Sequence, residues 1–201
     1  MKGYYFITDT GLSCAGTVSD VKNAVRAGIE VIQYRNKTGT TAELYAEALE
    51  LRRLCRNTCL LINDRIDIAL AIGAAGVHLG QEDMPVKEAR RILGRNKIIG
   101  LTVHSLKEAK EAKKLGADYL GVSPIFCTST KLDAGEPAGL SLIQKIKQEI
   151  SLPLVAIGGI TLENASQVIE AGADAICAIS AVITKKDVTK EILKFQKLFS
   201  S

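Results

Sequence analysis

The 201-residue chain has no tryptophan, and aromatic residues make up only 4% of it, too few to build stacking platforms for single-stranded nucleic acid or aromatic girdles at a bilayer. No apolar run approaches the roughly 18 residues that span a membrane. The start, Met1-Lys2-Gly3-Tyr4-Tyr5, runs into a strand-like segment and lacks the apolar stretch of a secretion signal. A block of one charge sign is missing as well: 26 Lys and Arg stand against 22 Asp and Glu, and the net +4 is dispersed through mixed runs such as Lys107 to Lys114. Neither nucleic acid nor a membrane is therefore an expected partner. Cysteine is sparse and odd in number, at Cys14, Cys55, Cys59, Cys127 and Cys177, which argues against a disulfide framework. Cys55 and Cys59 are spaced like half a metal site, but no second Cys/His pair follows, so the thiols are expected to be buried and inert and the protein cytoplasmic.

The remaining composition is that of an ordinary globular domain, with 47% apolar and 24% charged residues. The length favours one domain over 1–201, and no linker or low-complexity segment divides it. A phrase recurs in which a helical pattern ends in Gly-Ala or Gly-Ile and leads into an apolar run: Gly28-Ile29-Glu30-Val31-Ile32, Gly116-Ala117-Asp118-Tyr119-Leu120 and Gly172-Ala173-Asp174-Ala175-Ile176. Each glycine suits the position just past a helix, and a continuous apolar run is how a parallel strand covered on both faces reads. Strands are predicted near 4–8, 30–35, 60–63, 76–79, 98–103, 119–122, 154–157 and 175–179. Helices are predicted over 41–55, 106–115, 141–150 and 161–171, with Asp20, Thr41, Ser105, Ser141 and Thr161 near helix starts as N-caps. About eight βα units of roughly 25 residues make an α/β fold, a single (β/α)8 TIM barrel; an open doubly wound sheet is the alternative.

In such a barrel the active site forms at the carboxyl ends of the strands, and nearly every predicted end carries polar residues. Gln33, Arg35 and Lys37 share a parity and point to one side, with Asn36 between the last two. Asn63-Asp64 follows the third strand, Gly80-Gln81-Glu82-Asp83 the fourth, and Thr102 and His104 the fifth. Thr128-Ser129-Thr130-Lys131, Gly158-Gly159 and Ser180 follow the sixth, seventh and eighth. Plainer readings exist for each: Asp64 and Asp83 as helix caps, Arg35 and Lys37 as surface charges, His78 as a wall histidine, Gly158-Gly159 as a tight turn. Their convergence on one rim favours a site.

Arg35, Lys37 and Lys131 offer positive charge and donors for phosphate oxygens, while Asp64 and Asp83 are the hard oxygen ligands that Mg2+ prefers. Bare carboxylates would repel a polyphosphate, so their presence beside the cations implies a bridging Mg2+. With it the set carries about three positive charges, a match for a pyrophosphate of roughly −3. The glycine turn after the seventh strand and Ser180 after the eighth match the barrel's recurrent site for a single phosphate. A metal-bound pyrophosphate and a second phosphorylated ligand point to transfer of a group off pyrophosphate.

Six motifs then carry a resemblance: Gln33-x-Arg35-x-Lys37, Asn63-Asp64-Arg65-x-Asp67-x-Ala69, Gly76-Val77-His78-Leu79-Gly80-Gln81-Glu82-Asp83, Pro124-Ile125-Phe126-x-Thr128-x-Thr130-Lys131, Ala156-Ile157-Gly158-Gly159-Ile160 and Ala178-Ile179-Ser180. The chain resembles the thiamine-phosphate synthase (thiamine-phosphate pyrophosphorylase) family over essentially its whole length. The resemblance implies a barrel enzyme that joins hydroxymethylpyrimidine pyrophosphate to a thiazole phosphate, giving thiamine phosphate and pyrophosphate. It implies that Asp64 and Asp83 hold Mg2+, that Gln33, Arg35, Lys37, Asn63 and Lys131 bind the pyrimidine pyrophosphate with Thr102 helping, that Asn36 is a further substrate-binding residue, and that Arg35, Lys37 and Lys131 also carry the catalytic charge. Thr128, Thr130, Gly159, Ile179 and Ser180 would bind the thiazole phosphate. Many relatives have Ser where this chain has Thr102, which keeps the hydroxyl but restricts its rotamer. Two other readings share parts of this pattern. A thiazole tautomerase would use His104 in Thr102-Val103-His104 but needs no paired carboxylates, and a non-catalytic phosphometabolite-binding barrel needs neither metal nor pyrophosphate cations. No general base is required, since the thiazole nitrogen has a lone pair and no proton to lose, and a rim of cations favours a dissociative path in which pyrophosphate leaves first. Whether the chain forms a homo-oligomer is left open.

Overall fold

The computed structural model describes residues 1–128 and 135–199. The recurring helix-glycine phrase behaves as its chemistry dictates. Gly116, at φ 92°, ends the helix Leu106–Leu115 in a left-handed conformation that a Cβ would disfavour, and the chain enters the strand Tyr119–Val122 three residues later.

Among the described residues nine short parallel strands result: β1 Gly3–Tyr4, β2 Phe6–Ile7, β3 Val31–Tyr34, β4 Cys59–Asn63, β5 Gly76–Leu79, β6 Ile98–Val103, β7 Tyr119–Val122, β8 Leu154–Ile157 and β9 Ala175–Cys177. Their order, β1-β9-β8-β7-β6-β5-β4-β3-β2, returns to its starting point, because β1 and β2 are two halves of one extended run. The first half pairs with β9 and the second with β3, which closes the barrel. The single first strand expected from the sequence is therefore split at Tyr5, where the chain changes neighbours: Tyr5 N donates to Ile176 O, while Thr8 N donates to Gln33 O.

The helices are α1 Thr17–Arg26, α2 Thr41–Leu54, α3 Ile66–Ala71, α4 Val86–Leu93, α5 Leu106–Leu115, α6 Gly139–Glu149, α7 Ala165–Glu170, α8 Ile179–Ile183 and α9 Val188–Lys197. Outward strand residues such as Ile32, Leu60, Val77, Ile99 and Leu120 pack beneath Leu44, Ala48, Leu51, Ala89, Ile143 and Ile192 of these helices in one continuous core. A second, smaller cluster fills the barrel's interior with Tyr5, Ile7, Val31, Leu61, Tyr119, Val155, Ala175 and Cys177. Both faces of the strands are thus buried, which is why their sequences run apolar without alternation.

Four helix starts differ from expectation. Asp20 lies inside α1, fully buried, with Gly16 in the capping position. Ser141 lies inside α6, and Thr161 precedes the α7 cap Asn164. At α2 the cap is Thr40 and not Thr41, because Thr40 and Glu43 form a reciprocal capping box, an arrangement that contributes about 1 kcal/mol. Ser105 caps α5 as predicted, accepting from Glu108 N. The cysteines divide: Cys55 and Cys177 are buried, Cys59 is half-buried, and Cys14 and Cys127 are exposed on loops, contrary to the expectation of burial for all five. Burial pushes the Cys55 thiol up to about 11 and raises Cys177 further.

Candidate active site

A cleft opens at the carboxyl ends of the strands. Strand parity puts the polar residues there. On β3, Val31 packs in the interior cluster, Gln33 is two residues further up the same face, and Arg35 and Lys37 follow at the rim. Asn63 on β4, His78 on β5 and Thr102 on β6 occupy the same side of the neighbouring strands, held in step by the register pairs Asn63 with His78 and His78 with Gly100.

The charged groups of the rim are already engaged with one another. Arg35 Nη1 lies 2.5 Å from Asp9 Oδ2, and Asp9 Oδ1 accepts from Gly11 N and Leu12 N at 3.1 and 3.2 Å. Lys37 Nζ lies 2.5 Å from Asp64 Oδ2. Asp83 folds back to accept from Gly80 N at 2.7 Å. Burial pushes the Asp83 carboxyl above its usual range, and hydrogen-bonding contact with Asp64 raises it further, while Lys37 pulls the other way. Asp64 has φ 61°, the one non-glycine residue with positive φ among those described. Aspartate tolerates this region better than most residues, yet the conformation still costs free energy, and strain of this kind gathers at functional sites. The cap readings of Asp64 and Asp83 do not hold: α3 is capped by Arg65 and α4 by Pro85, neither with a side-chain bond.

Two carboxylates in contact repel unless a proton or a cation lies between them, and hard oxygen donors suit a magnesium-like cation. Among the described residues no group of three or more His, Cys, Asp or Glu side chains gathers into a complete cage. Such a cation commonly takes one or two carboxylates and completes its shell with phosphate oxygens and water, so the donor set at 64 and 83 fits one that arrives with a phosphorylated ligand.

The opposite wall is formed by Thr128, Gly158, Gly159, Ile179 and Ser180. Gly159, at φ 64°, packs so closely that a Cβ there would lie 2.5 Å from Cys127 O and 2.7 Å from Phe126 Cβ. Its carbonyl accepts from Asn164 Nδ2 at 2.9 Å. Ile179 and Ser180 open α8 directly after β9.

Eleven of the residues singled out from the sequence line this one cleft: Gln33, Arg35, Lys37, Asn63, Asp64, Asp83, Thr102, Thr128, Gly159, Ile179 and Ser180. Asn36 does not; its Oδ1 accepts from Thr38 N and Gly39 N at 3.0 and 3.1 Å and shapes the loop after β3. Thr130 and Lys131 lie outside the described residues. His104 is exposed, and its backbone N and Nδ1 both bond Glu108 Oε2, so it belongs to the start of α5 and not to the cleft. Sequence reading missed Asp9. The search for polar residues at strand ends would have found Thr8-Asp9 had it included the first strand.

A family model described as thiamine monophosphate synthase matches residues 4–182. The thiamine-phosphate synthase of Methanosarcina barkeri is 53% identical over 193 residues, 96% of this chain and 88% of that one. That of Chloroflexus aurantiacus is 49% identical over 199 residues, covering 98% and 92%. The solved thiamine phosphate pyrophosphorylase from Pyrococcus furiosus superposes with a TM-score of 0.91 at 42% identity, covering 98% of this chain and 95% of that one. Barrel, cleft and near full-length identity agree, and the chain belongs to the thiamine monophosphate synthase family.

Proposed function

We propose that the chain, acting as one barrel domain, condenses 4-amino-2-methyl-5-hydroxymethylpyrimidine pyrophosphate with thiazole phosphate to give thiamine phosphate and pyrophosphate. The observation that carries this reading is the cleft's two-sided chemistry: cations and paired carboxylates at Arg35, Lys37, Asp64 and Asp83 on one wall, and a glycine turn with Thr128 and Ser180 on the other. Arg35 and Lys37 bind the pyrophosphate oxygens and stabilise negative charge as the leaving group departs, with Lys131 assigned the same role from the sequence. Gln33, Asn63 and Thr102 orient the pyrimidine. Thr128, the Gly159 amide, Ile179 and Ser180 hold the thiazole phosphate, with Thr130 assigned the same role from the sequence.

Asp64 and Asp83 would hold Mg2+, which would supply charge neutralisation for the pyrophosphate, while Lys37 would contact its phosphate oxygens. Arg35 and Lys37 are placed to stabilise departure, and His104 is turned toward Glu108 and away from the cleft. A dissociative order of bond changes follows, with pyrophosphate leaving before the thiazole nitrogen attacks. The same placement of His104 argues against a tautomerase. No helix among the described residues is long and apolar enough to cross a membrane. We assign the reaction to the cytoplasm on the odd, sparse cysteines, which argue against an oxidising compartment.

The test is to measure each substrate's KM in wild type and in Ser180→Ala. Loss of one donor to the thiazole phosphate should raise that KM several-fold and leave the pyrimidine KM nearly unchanged. A change confined to the pyrimidine KM would invert the two halves, and no thiamine phosphate from the wild type would refute the function.

A further inference from the structure

Below the charged rim a chain of hydrogen bonds crosses the barrel interior. Gln33 Nε2 donates to Tyr5 OH at 2.9 Å, and Tyr5 OH lies 2.8 Å from Tyr119 OH. Tyr119 OH lies 2.7 Å from His78 Nδ1, and His78 Nε2 lies 2.8 Å from Thr102 Oγ1. Gln33, Tyr5, Tyr119 and His78 are all buried, and the two ends of the chain, Gln33 and Thr102, both line the cleft. The barrel makes room for it with glycines. A Cβ on Gly100 would lie 2.1 Å from Tyr119 Cζ, and one on Gly121 would lie 2.9 Å from His78 Cε1. Neither glycine has positive φ, so each serves space and not backbone conformation.

Counting protons fixes the direction of the chain. Burial raises both phenols far above their ordinary range, so each keeps its one proton. Tyr5 oxygen accepts from Gln33, and among the described residues the recorded acceptor for the Tyr5 proton is Tyr119. Tyr119 must then donate to His78 Nδ1, which leaves the proton of the neutral imidazole on Nε2, donating to Thr102 Oγ1. The Thr102 hydroxyl proton is thereby directed into the cleft. At the other end Gln33, with one Nε2 proton given to Tyr5 and its orientation thereby held, offers its carbonyl oxygen. Reversal would require an amide flip and the concerted turning of every proton between.

We propose that Tyr5, Tyr119 and His78 are positioning residues whose relay fixes Gln33 as an acceptor and Thr102 as a donor, and that this paired polarity selects an amino-substituted over an oxo-substituted pyrimidine. The proposal rests on the reading that a pyrimidine binds here. An aminopyrimidine presents a donor amino group beside a ring-nitrogen acceptor, complementary to the pair. Its oxo counterpart presents a carbonyl acceptor beside a ring N–H, which opposes the pair at both points, and a buried site built for one hydrogen-bond pattern rejects its reverse strongly.

The chain has two histidines, so His104→Gln leaves one imidazole to observe by nitrogen NMR at about pH 8. The expected result is a single tautomer, protonated at Nε2 and bare at Nδ1; a proton on Nδ1 would overturn the relay. Equilibrium affinities for the amino and oxo pyrimidine pyrophosphates, measured by calorimetry without turnover, should differ by at least about a hundredfold in wild type. Tyr119→Phe should reduce that ratio at least about tenfold and release the tautomer, with thiazole phosphate affinity unchanged. If that variant fails to fold, Thr102→Val should collapse the ratio similarly while Thr102→Ser retains it. A ratio within about twofold of wild type in the folded variant overturns the proposal. Thiamine phosphate formation with the Nδ1 tautomer would refute the relay alone, and the Nε2 tautomer without thiamine phosphate formation would refute the reaction alone.

Discussion

Replacing Asp9 with Asn separates positioning from chemistry at the end of the cleft proposed to take pyrophosphate. Asp9 Oδ2 holds Arg35 Nη1 at 2.5 Å while its Oδ1 accepts two backbone amides of the following turn. The side chains are 10% and 21% exposed, so the pair is neither a solvated surface bridge nor fully desolvated. A hydrogen bond to a charged partner contributes about 1.5–3 kcal/mol, and partial exposure places this one toward the lower end. Asp9→Asn keeps the shape of the turn but removes the negative charge, so unfolding free energy should fall by about 1–2 kcal/mol. An unheld Arg35 must then be immobilised by substrate, at about 0.5–1.5 kcal/mol for one long side chain. That converts to a KM for pyrimidine pyrophosphate raised about 2- to 13-fold, with the thiazole KM unchanged. Steady-state kinetics in each substrate and a urea titration read the two effects. An unchanged pyrimidine KM, or a rise in the thiazole KM instead, would refute Asp9 as the support of Arg35.

Three further outcomes are expected. Gly159→Ala places a Cβ against Cys127 O and Phe126 at φ 64°, so it should lose more than about 1 kcal/mol of stability and raise the thiazole KM by at least tenfold; a well-folded variant with wild-type kinetics would contradict the close approach. Iodoacetamide should label Cys14 and Cys127 well before Cys55 in the native protein, because a thiol at about 11 is only about one part in a thousand ionised at pH 8, and Cys55 labelling should rise about tenfold per pH unit; early labelling of Cys55 by mass spectrometry would show it is not buried. Asp83→Asn removes a carboxyl raised by burial and by contact with Asp64, and with it one of the oxygens proposed to hold Mg2+, so it should lower kcat by about a hundredfold or more and raise the Mg2+ concentration for half-maximal rate; an unchanged Mg2+ requirement would remove Asp83 from the proposed ligand set.

The features legible in the sequence were those with a period or a punctuation mark. Period-two parity put Gln33 and Arg35 on one side of β3, and the rule of strand carboxyl ends gathered Asn63, Asp64, Asp83, Thr102 and Ser180 before any distance was known. Features that depend on which strand lies beside which were hidden. Tyr5 and Tyr119 are 114 residues apart, and only barrel closure, with β1 and β2 changing neighbours at Tyr5, brings their hydroxyls together. Helix caps were misplaced where a Ser, Thr or Asp stood near a start without facing the exposed amides, as at Ser141 and Asp20. The engagement of Lys37 with Asp64 was equally invisible, because free rim charges and paired ones read alike in one dimension.

In the proposed reaction one cleft takes a pyrophosphate through Asp64 and Asp83 and hands its pyrimidine to a thiazole phosphate. Phosphorus NMR of the purified chain with both phosphorylated halves and Mg2+ follows substrate, pyrophosphate and thiamine phosphate in a single spectrum. The expected result is equal accumulation of pyrophosphate and thiamine phosphate in wild type, abolished by EDTA and by the Asp64→Ala, Asp83→Ala double variant. Pyrophosphate release without thiamine phosphate, or undiminished turnover by the double variant, would contradict it.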